Sequence, residues 1–317
     1  MRDHGGDIDR ARARYGGADW IDLSTGINRQ PWPVPPLPAP VWTDLPTAAA
    51  RAALMAAARL AFATDAPGLA LAGAQAAIQL VPRLAQPGRA RVLAPTYNEH
   101  AAALRAAGWR VEDVAGLDAL AGADLAVVVN PNNPDGRRHD PAALRALASR
   151  VGRLVVDESF ADADPALSLA AAAGEGILVL RSFGKFWGLA GLRLGFAFAD
   201  AATVAQLDGM AGPWPVSGPA LEIGRLALAD TAWRRATADR LAAEAYRLDA
   251  LAAGAGWTLV GGTALFRTYD AGDAGAAQDR LARARIWSRV FPYSDRWIRL
   301  GLPGGAAEWA RLAAALR

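Results

Sequence analysis

Six short apolar runs recur between residues 69 and 199, and stretches with helical character separate most of them. The runs cover residues 69–72, 91–94, 125–130, 154–157, 177–181 and 194–199. Short apolar strands that alternate with helices form a largely parallel sheet with helices on both faces. The pattern therefore predicts an α/β fold built on a mostly parallel sheet.

The length of the chain predicts more than one domain, because 317 residues exceed the size of a typical domain. We expect residues 1–46 to form an N-terminal arm that is part of a small domain, with the proline-rich stretch 31–40 extended. Residues 47–215 should form a large domain, and residues 216–317 the remainder of the small α+β domain.

Composition excludes several classes of function. The net charge is only +3 and the arginines are scattered among acids, so no nucleic-acid-binding face is predicted. The chain has no cysteine, which rules out disulfides, thiolate metal sites and cysteine nucleophiles, and we predict no metal site. The first residues lack an apolar signal core, and the long apolar runs are interrupted by charge, Gly or Pro. We therefore expect a cytoplasmic protein that does not enter a membrane.

Lys185 is the single lysine in a chain whose lysines and arginines total 34. Arginine replaces lysine as a surface cation, but its guanidinium does not lose the proton that an amine nucleophile must lose. Lys185 therefore either occupies a position where arginine would fail, or is the residue that a general bias toward arginine has left. The residues around it decide between these interpretations.

Polar or glycine-bearing segments follow five of the apolar runs. They lie at residues 73–75, 95–97, 130–133, 157–159 and 182–185. Open parallel sheets bind their ligands at the carboxyl ends of the strands. The sequence therefore predicts one site at which these five strand ends converge.

Residues 181–195, with the sequence RSFGKFWGLAGLRLG, resemble the lysine segment of fold type I pyridoxal-phosphate enzymes, the class I/II aminotransferase family. The resemblance implies the aspartate aminotransferase fold and pyridoxal 5'-phosphate as cofactor. It implies that Lys185 forms the Schiff base with the cofactor, and that Ser182 and Arg193 bind its phosphate. A hydroxyl and a guanidinium are chemically suited to an anionic group.

The resemblance extends to the ends of two further strands. Asp157 matches the family aspartate on the pyridine nitrogen, where a carboxylate keeps the nitrogen protonated and lets the ring accept electrons from a carbanion. Asn133 matches the asparagine that binds the ring 3-oxygen. Asp135 stands where the family usually has threonine, and an Asn-Pro-Asp-Gly turn keeps the same turn chemistry.

Two more segments match the family on the two sides of the cofactor. Tyr97 corresponds to the aromatic residue that stacks on the pyridine, and His100 to the histidine that supports the aspartate. Gly73, Ala74 and Gln75 open a helix whose backbone amides, together with the Gln75 side chain, suit a phosphate.

Two positions lack a hydroxyl that the family commonly has. Phe160 stands where a tyrosine usually touches the ring 3-oxygen, and Leu45 stands where a tyrosine reaches the cofactor phosphate of the neighbouring subunit. We therefore expect looser cofactor binding than in typical members. The resemblance also implies a homodimer.

The cofactor motifs do not choose between loss of the Cα proton, which leads to transamination, and loss of the carboxylate. Near the C-terminus, Arg299 matches the family arginine that binds the substrate carboxylate. Arg289 matches a second arginine found in members that handle phosphorylated amino acids. Two arginines suit a dianionic substrate.

The N-terminal sequence favours one subgroup. The segments 4–6 and 20–28 are similar to the opening of threonine-phosphate decarboxylases of cobalamin biosynthesis, although Arg29 stands where that group usually has proline. In that group the arm helps to hold the substrate phosphate, which implies binding roles for His4 and Asn28. A small phosphorylated amino acid is the expected substrate.

Three functions therefore remain. The leading hypothesis is decarboxylation of L-threonine O-phosphate to (R)-1-aminopropan-2-ol phosphate. The alternative within the family is a histidinol-phosphate-type aminotransferase, which shares the fold, the lysine and the phosphate-binding groups. The third is a non-catalytic ligand sensor on the same fold, against which stands the presence of Lys185.

Overall fold

The computed structural model describes residues 4–174 and 176–317. Its strands are β1 (Ile21–Asp22), β2 (Gly68–Leu71), β3 (Arg89–Leu93), β4 (Arg110–Val114), β5 (Leu125–Val129), β6 (Leu154–Asp157), β7 (Ile177–Ser182), β8 (Gly195–Phe198), β9 (Thr258–Gly262), β10 (Phe266–Asp270), β11 (Ile286–Trp287), β12 (Arg289–Phe291) and β13 (Ser294–Gly301). Its α-helices are α1 (Ile8–Tyr15), α2 (Ala39–Thr43), α3 (Ala48–Ala61), α4 (Ala74–Leu80), α5 (Asn98–Ala106), α6 (Pro141–Ala148), α7 (Ala201–Ala211), α8 (Gly218–Ala229), α9 (Thr231–Gly254), α10 (Ala274–Arg283) and α11 (Ala306–Ala315).

The larger of two compact units comprises Trp32–Asn133 and Arg138–Arg235. It contains a seven-stranded sheet in the order β2-β8-β7-β6-β5-β3-β4. β8 runs antiparallel to both of its neighbours, and every other pair is parallel. The mostly parallel sheet predicted from the apolar runs is therefore confirmed.

The sequence of each strand reflects its place in this sheet. All five residues of β5 and all four of β6 are buried, because strands covered on both faces read as continuous apolar runs. β4 lies at the edge, and two of its five residues are apolar. The apolar pattern did not predict β4 for this reason.

The smaller unit is formed by residues 4–31, Pro134–Arg137 and Ala236–Arg317. Its main sheet is antiparallel, in the order β12-β13-β10-β9, and β1 pairs with β11 in a separate parallel ribbon. α1 packs beside α10, where Ala11, Ala282 and Trp287 form a small apolar cluster. This unit has the α+β character that the sequence predicts for the small domain.

The units differ from the predicted domain limits at three places. Residues 32–46 and 216–235 belong to the larger unit, because α8 packs against α2 and α3. Pro134–Arg137 belongs to the smaller unit, since it lies so close to β9 that a Cβ on Gly261 would be 2.1 Å from the Asp135 carbonyl oxygen. Chain connectivity does not reveal such packing.

The proline-rich stretch is extended only in part. No regular structure precedes Pro38 within it, but α2 begins at Ala39 and includes Pro40. The expectation that residues 31–40 would be extended throughout was therefore wrong. Proline is tolerated in the first turn of a helix, where its missing N–H has no intrahelical partner. In the part of the chain that the structure describes, no helix is long and apolar enough to cross a membrane.

Gly195 tests how tightly the sheet packs against α4. A Cβ at Gly195 would lie 2.3 Å from the backbone nitrogen of Ala74 and 2.9 Å from the carbonyl oxygen of Arg181. We expect Gly195→Ala to lower the free energy of unfolding by about 1–3 kcal/mol, because backbone atoms have to shift. Denaturant unfolding followed by circular dichroism measures this difference.

Gly209 supplies the matched control, because it lies within α7 and a Cβ there would meet nothing within 4 Å. Gly209→Ala should raise the free energy of unfolding by about 0.5–1 kcal/mol, since alanine has the higher helix propensity. Equal stability of the Gly195→Ala protein and the wild type would contradict the close packing described above.

Candidate active site

The larger unit brings the polar ends of its strands to one edge of the sheet. Parallel strands end at the same edge, so the residues that close these strands or follow them lie near one another. Asp157 is the last residue of β6 and Ser182 the last of β7. The other expected residues follow β2, β3, β5 and β7 and are Gly73, Ala74, Gln75, Tyr97, His100, Asn133 and Lys185.

Asp157 forms a buried pair with His100. The Nε2 atom of His100 lies 2.8 Å from Oδ2 of Asp157, and each side chain is 3% exposed. Oδ1 of Asp157 accepts hydrogen bonds from the backbone N–H and the hydroxyl of Ser159, at 2.9 and 2.5 Å.

These contacts decide the charge of Asp157. Burial raises the pKa of the carboxyl, but the hydrogen bond and charge of His100, together with the two Ser159 hydrogen bonds, outweigh burial and hold the pKa below its usual value. Asp157 is therefore ionised at neutral pH. The pairing of His100 with Asp157 that the resemblance implied is present in this geometry.

The first turn of α5 carries both His100 and its aromatic neighbour. Tyr97 is the N-cap residue of α5, and its ring stands nearly perpendicular to that of His100, with centroids 6.2 Å apart. The hydroxyl of Tyr97 donates to Oε1 of Gln75 at 3.2 Å, and Nε2 of Gln75 donates to Glu99 at 3.0 Å. α4 and α5 are therefore joined through side chains at the strand ends.

The asparagine-rich loop after β5 is held by two of its three asparagines. Asn130 exchanges hydrogen bonds with the backbone of His139, at 3.1 and 2.9 Å. Asn132 accepts from the Thr96 hydroxyl at 2.6 Å and donates to the Pro95 carbonyl at 2.9 Å. These contacts tie the loop to the segment after β3 and fix the backbone that carries the half-buried Asn133.

Lys185 projects from a segment anchored by aromatic side chains. Phe183, Phe186 and Trp187 are each at most 1% exposed, and Trp187 stacks on Phe183 with a centroid distance of 5.4 Å. Lys185 is half-buried, and its Nζ lies 5.7 Å from the centroid of the Phe160 ring. Because Phe160 follows Asp157 by three residues, this contact brings the amine to the loop that begins at the buried carboxylate.

Gly73 and Arg193 approach each other closely at the start of α4. Both have left-handed backbone conformations, with φ of 81° and 55°. A Cβ on Gly73 would lie 2.9 Å from Nη2 of Arg193, so the guanidinium would have to shift to admit a side chain here. The arginine's other terminal nitrogen donates to the Ala190 carbonyl at 2.9 Å. The left-handed conformation of Arg193 costs about 1–2 kcal/mol, and local strain of this kind clusters at functional sites.

Ser182 belongs to the same corner of the larger unit. It pairs with Gly195 across β7 and β8, and Gly195 in turn packs against the backbone nitrogen of Ala74. Hydroxyl, guanidinium and backbone N–H groups therefore converge on one corner, which suits a phosphate. The adjacent ionised carboxylate and primary amine complete the set of groups that pyridoxal phosphate requires, so the residues present fit this cofactor.

Sequence reasoning missed a buried ion network behind the site. Arg181 lies 2.8 Å from Glu158 and 3.1 Å from Asp162, and its guanidinium is 4.3 Å from the centre of the Phe62 ring. Glu158 also accepts from the Ser168 hydroxyl at 2.6 Å. The network fixes the loop that follows Asp157. An arginine at the end of an otherwise apolar strand was the signal that could have revealed it.

The smaller unit places the two predicted substrate arginines directly opposite each other. Arg289 of β12 and Arg299 of β13 are cross-strand partners. Burial, together with the charge of Arg289, lowers the pKa of Arg299 to about 10. Like charges on opposed strand positions are destabilising. A bound anion would relieve this repulsion.

The N-terminal residues of the smaller unit lie near Arg299. Its Nη2 donates to the carbonyl oxygen of Ser24, and the Ser24 hydroxyl accepts from the backbone N–H of Gly6 at 2.7 Å. His4 is exposed and precedes this contact by two residues. The predicted arm and the predicted carboxylate-binding arginine are thus linked through Ser24.

Asn28 is buried and held on its oxygen. Its Oδ1 accepts from the Arg240 guanidinium at 2.9 Å and from the backbone N–H of Gln30 at 3.0 Å. Arg240 is itself paired with Glu244 at 2.7 Å. The helix α9 therefore orients the Asn28 amide.

Known proteins resemble the whole of this chain. A family model described as aminotransferase class I and II matches residues 43–316. A threonine-phosphate decarboxylase from a Sinorhizobium species is 46% identical over 99% of this chain and 97% of its own length. The protein of that name from Pseudomonas aeruginosa is 44% identical over 100% of this chain and 97% of its own length. A histidinol-phosphate aminotransferase from Mycobacterium bovis is 35% identical over 77% of this chain and 73% of its own length.

Solved structures confirm the fold. Histidinol-phosphate aminotransferase from Sinorhizobium meliloti, in complex with pyridoxal-5'-phosphate, aligns with a TM-score of 0.84 and 21% identity over 97% of this chain and 92% of its own. L-threonine-O-3-phosphate decarboxylase from Porphyromonas gingivalis aligns with a TM-score of 0.70 and 18% identity over 93% and 98%. The family implied by the lysine segment is also confirmed, because the matching family model covers most of the sequence. The chain belongs to the aminotransferase class I and II family.

Proposed function

We propose that this protein is a pyridoxal-phosphate-dependent decarboxylase that converts L-threonine O-phosphate to (R)-1-aminopropan-2-ol phosphate for cobalamin biosynthesis. The observation that carries the proposal is similarity along the whole chain, since two threonine-phosphate decarboxylases are 44–46% identical to it over nearly their full lengths. The N-terminal segments that resemble this group belong to the region matched by the Pseudomonas aeruginosa protein, which covers 100% of this chain.

The residues of the larger unit would hold the cofactor in defined roles. Pyridoxal phosphate supplies an aldehyde that condenses with amines and a ring that accepts an electron pair. Lys185 provides the amine, and the ionised Asp157 keeps the pyridine nitrogen protonated. Asn133 is assigned to the ring 3-oxygen and Tyr97 to the face of the ring.

The phosphate of the cofactor would bind where charge and backbone donors meet. Gly73 forms the turn before α4, and its own N–H donates to the Leu71 carbonyl oxygen at 2.7 Å. Arg193 supplies the guanidinium, Ser182 the hydroxyl, and Ala74 the backbone N–H group at the start of α4. Each of these is a hydrogen-bond donor, as a phosphate dianion requires.

The substrate roles follow from the charges of the smaller unit. We assign the substrate carboxylate to Arg299 and the substrate phosphate to Arg289, because two guanidinium groups on opposed strand positions suit a substrate with two anionic groups. His4 and Asn28 are assigned to the substrate phosphate. The Asn28 oxygen is held by Arg240, which orients its amide N–H groups for donation.

Histidinol-phosphate aminotransferase is the second candidate. Its support is the 35% identity to the Mycobacterium bovis protein and the fold shared with the Sinorhizobium meliloti enzyme. Both candidates use one cofactor, one lysine and a phosphorylated substrate. The products therefore have to separate them.

A homodimer is also part of the proposal. Trp42 and Leu45 of the larger unit are each 65% exposed. Contiguous exposed apolar surface marks protein–protein contacts, and these two side chains lie three residues apart in the segment where the family contacts the neighbouring subunit. A monomeric mass in sedimentation equilibrium would contradict the dimer.

The reaction itself distinguishes the two enzymes. We expect the purified protein, given pyridoxal phosphate and L-threonine O-phosphate, to release carbon dioxide without any oxo acid. Conversion of 2-oxoglutarate to glutamate, with the phosphorylated substrate as the amino donor, would instead establish the aminotransferase. Mass spectrometry of the phosphorylated amine provides the second measurement.

Attachment of the cofactor tests Lys185. Reduction of the holoenzyme with sodium borohydride should fix the cofactor mass on the peptide that contains Lys185, because no other lysine is present. Lys185→Arg keeps the positive charge but lacks the deprotonatable amine, so its reduced peptides should carry no cofactor. Cofactor fixed elsewhere in that variant would refute the assignment.

Substitution of the two arginines tests the substrate roles. Arg299→Ala should lower kcat/KM for L-threonine O-phosphate by about 10- to 100-fold, as expected for loss of a hydrogen bond between charged groups. Arg289→Ala should give a similar loss with L-threonine O-phosphate but not with unphosphorylated L-threonine.

Arg296, which lies in β13 with Arg299, is the control for both variants. It is exposed and pairs with Asp270 at 2.8 Å, so Arg296→Ala should leave kcat/KM nearly unchanged. If Arg289→Ala lowers kcat/KM equally for the phosphorylated and the unphosphorylated substrate, the assignment of Arg289 to the substrate phosphate is wrong.

A further inference from the structure

The side chain of Gln75 bridges two helices beside the candidate cofactor site. Gln75 lies in the first turn of α4, and its amide stands between Tyr97 and Glu99 at the start of α5. Its oxygen accepts from the Tyr97 hydroxyl at 3.2 Å, and its nitrogen donates to Oε2 of Glu99 at 3.0 Å. Protein groups therefore engage both polar atoms of the amide.

The surroundings make this bridge costly to break. The Glu99 side chain is buried at 6% exposure, and Tyr97 is half-buried. α4 and α5 also pack against each other. A buried polar group that loses its partner pays a desolvation cost, so the amide is held in one orientation.

The bridge continues to the ionised carboxylate at the end of β6. The Tyr97 ring meets the edge of His100 with centroids 6.2 Å apart, and His100 lies 2.8 Å from Asp157. One helical turn thus carries the aromatic ring and the partner of Asp157, and Gln75 fixes that turn from the opposite side.

We propose that Gln75 is a positioning residue whose amide holds the hydroxyl of Tyr97, so that the phenol ring keeps the orientation needed to stack on the cofactor. The side chain then acts on the pyridine ring through Tyr97 and makes no contact with the cofactor phosphate. This inference rests on the proposed function, since it requires that the larger unit binds pyridoxal phosphate.

The physical reason lies in the freedom of a tyrosine side chain. Two torsion angles set the position of the ring, and a hydrogen bond at the hydroxyl restrains both from the far end. Stacked aromatic rings attract only within a narrow range of offsets and angles. Loss of the restraint therefore weakens stacking without removing any group that touches the phosphate.

The test compares two aldehydes that differ only by the phosphate. Dissociation constants for pyridoxal phosphate and for pyridoxal are measured by absorbance on the apoenzyme. Gln75→Leu should raise the dissociation constants of both compounds by the same factor, about 3- to 10-fold, as expected for one lost hydrogen bond. If the Gln75 side chain binds the phosphate, its loss should instead weaken the binding of pyridoxal phosphate alone. This result would overturn the proposal.

Tyr97→Phe removes the same hydrogen bond from the other side and leaves α4 untouched. It should reproduce the loss seen with Gln75→Leu, and the double variant should lose no more than either single variant. Additive losses would mean that the two residues act independently, which would also overturn the inference. This variant serves if Gln75→Leu does not fold.

Gln278 provides the matched control. It is a buried glutamine of α10 in the smaller unit and donates to the Ser288 carbonyl at 2.9 Å. Gln278→Leu should leave both dissociation constants unchanged. If the wild-type apoenzyme binds neither aldehyde, the proposed function fails. If the wild type binds both aldehydes and the Gln75→Leu variant has the same dissociation constants, only the role of Gln75 fails.

Discussion

The buried pair of Asp157 and His100 is the interaction on which the candidate site depends. A carboxylate removed from water is unfavourable unless hydrogen bonds and opposite charge compensate for the loss of hydration. Here His100 and Ser159 compensate and keep the pKa of Asp157 below its usual value despite burial. Because His100 lies in the first turn of α5, the same contact fixes the position of Tyr97. The electrostatics and the geometry of the site therefore have a common origin.

The smaller unit shows the opposite electrostatic arrangement. Two arginines occupy directly opposed positions of an antiparallel sheet, and one of them is buried. Burial and the charge of Arg289 disfavour the charged form of Arg299 and lower its pKa to about 10, which is a local electrostatic cost. Natural proteins accept local costs of this kind at functional sites. The arrangement agrees with a substrate that carries a carboxylate and a phosphate.

The strands that bear functional residues were predictable from the sequence, whereas the edge strand was not. β5, β6 and β7 are mainly apolar because both faces of the sheet are covered. β6 ends at Asp157, β7 ends at Ser182, and Asn133 lies in the loop after β5. β4 is exposed along most of its length, so its residues carry no such pattern. The domain limits also escaped prediction, because α8 joins the larger unit through its packing on α3.

The sequence by itself determined which groups are available: a single lysine, an aspartate at the end of an apolar strand, and arginines near both the lysine and the C-terminus. The resemblance of these segments to the class I/II aminotransferases implied the family and the cofactor. Only the tertiary structure decided what each side chain does with its hydrogen bonds. Gln75 reads as a phosphate ligand at a helix start, yet its amide lies between Tyr97 and Glu99. The reason is that spacing along the chain sets which strand ends meet, while the packing of α4 against α5 sets where a flexible side chain finds its partners.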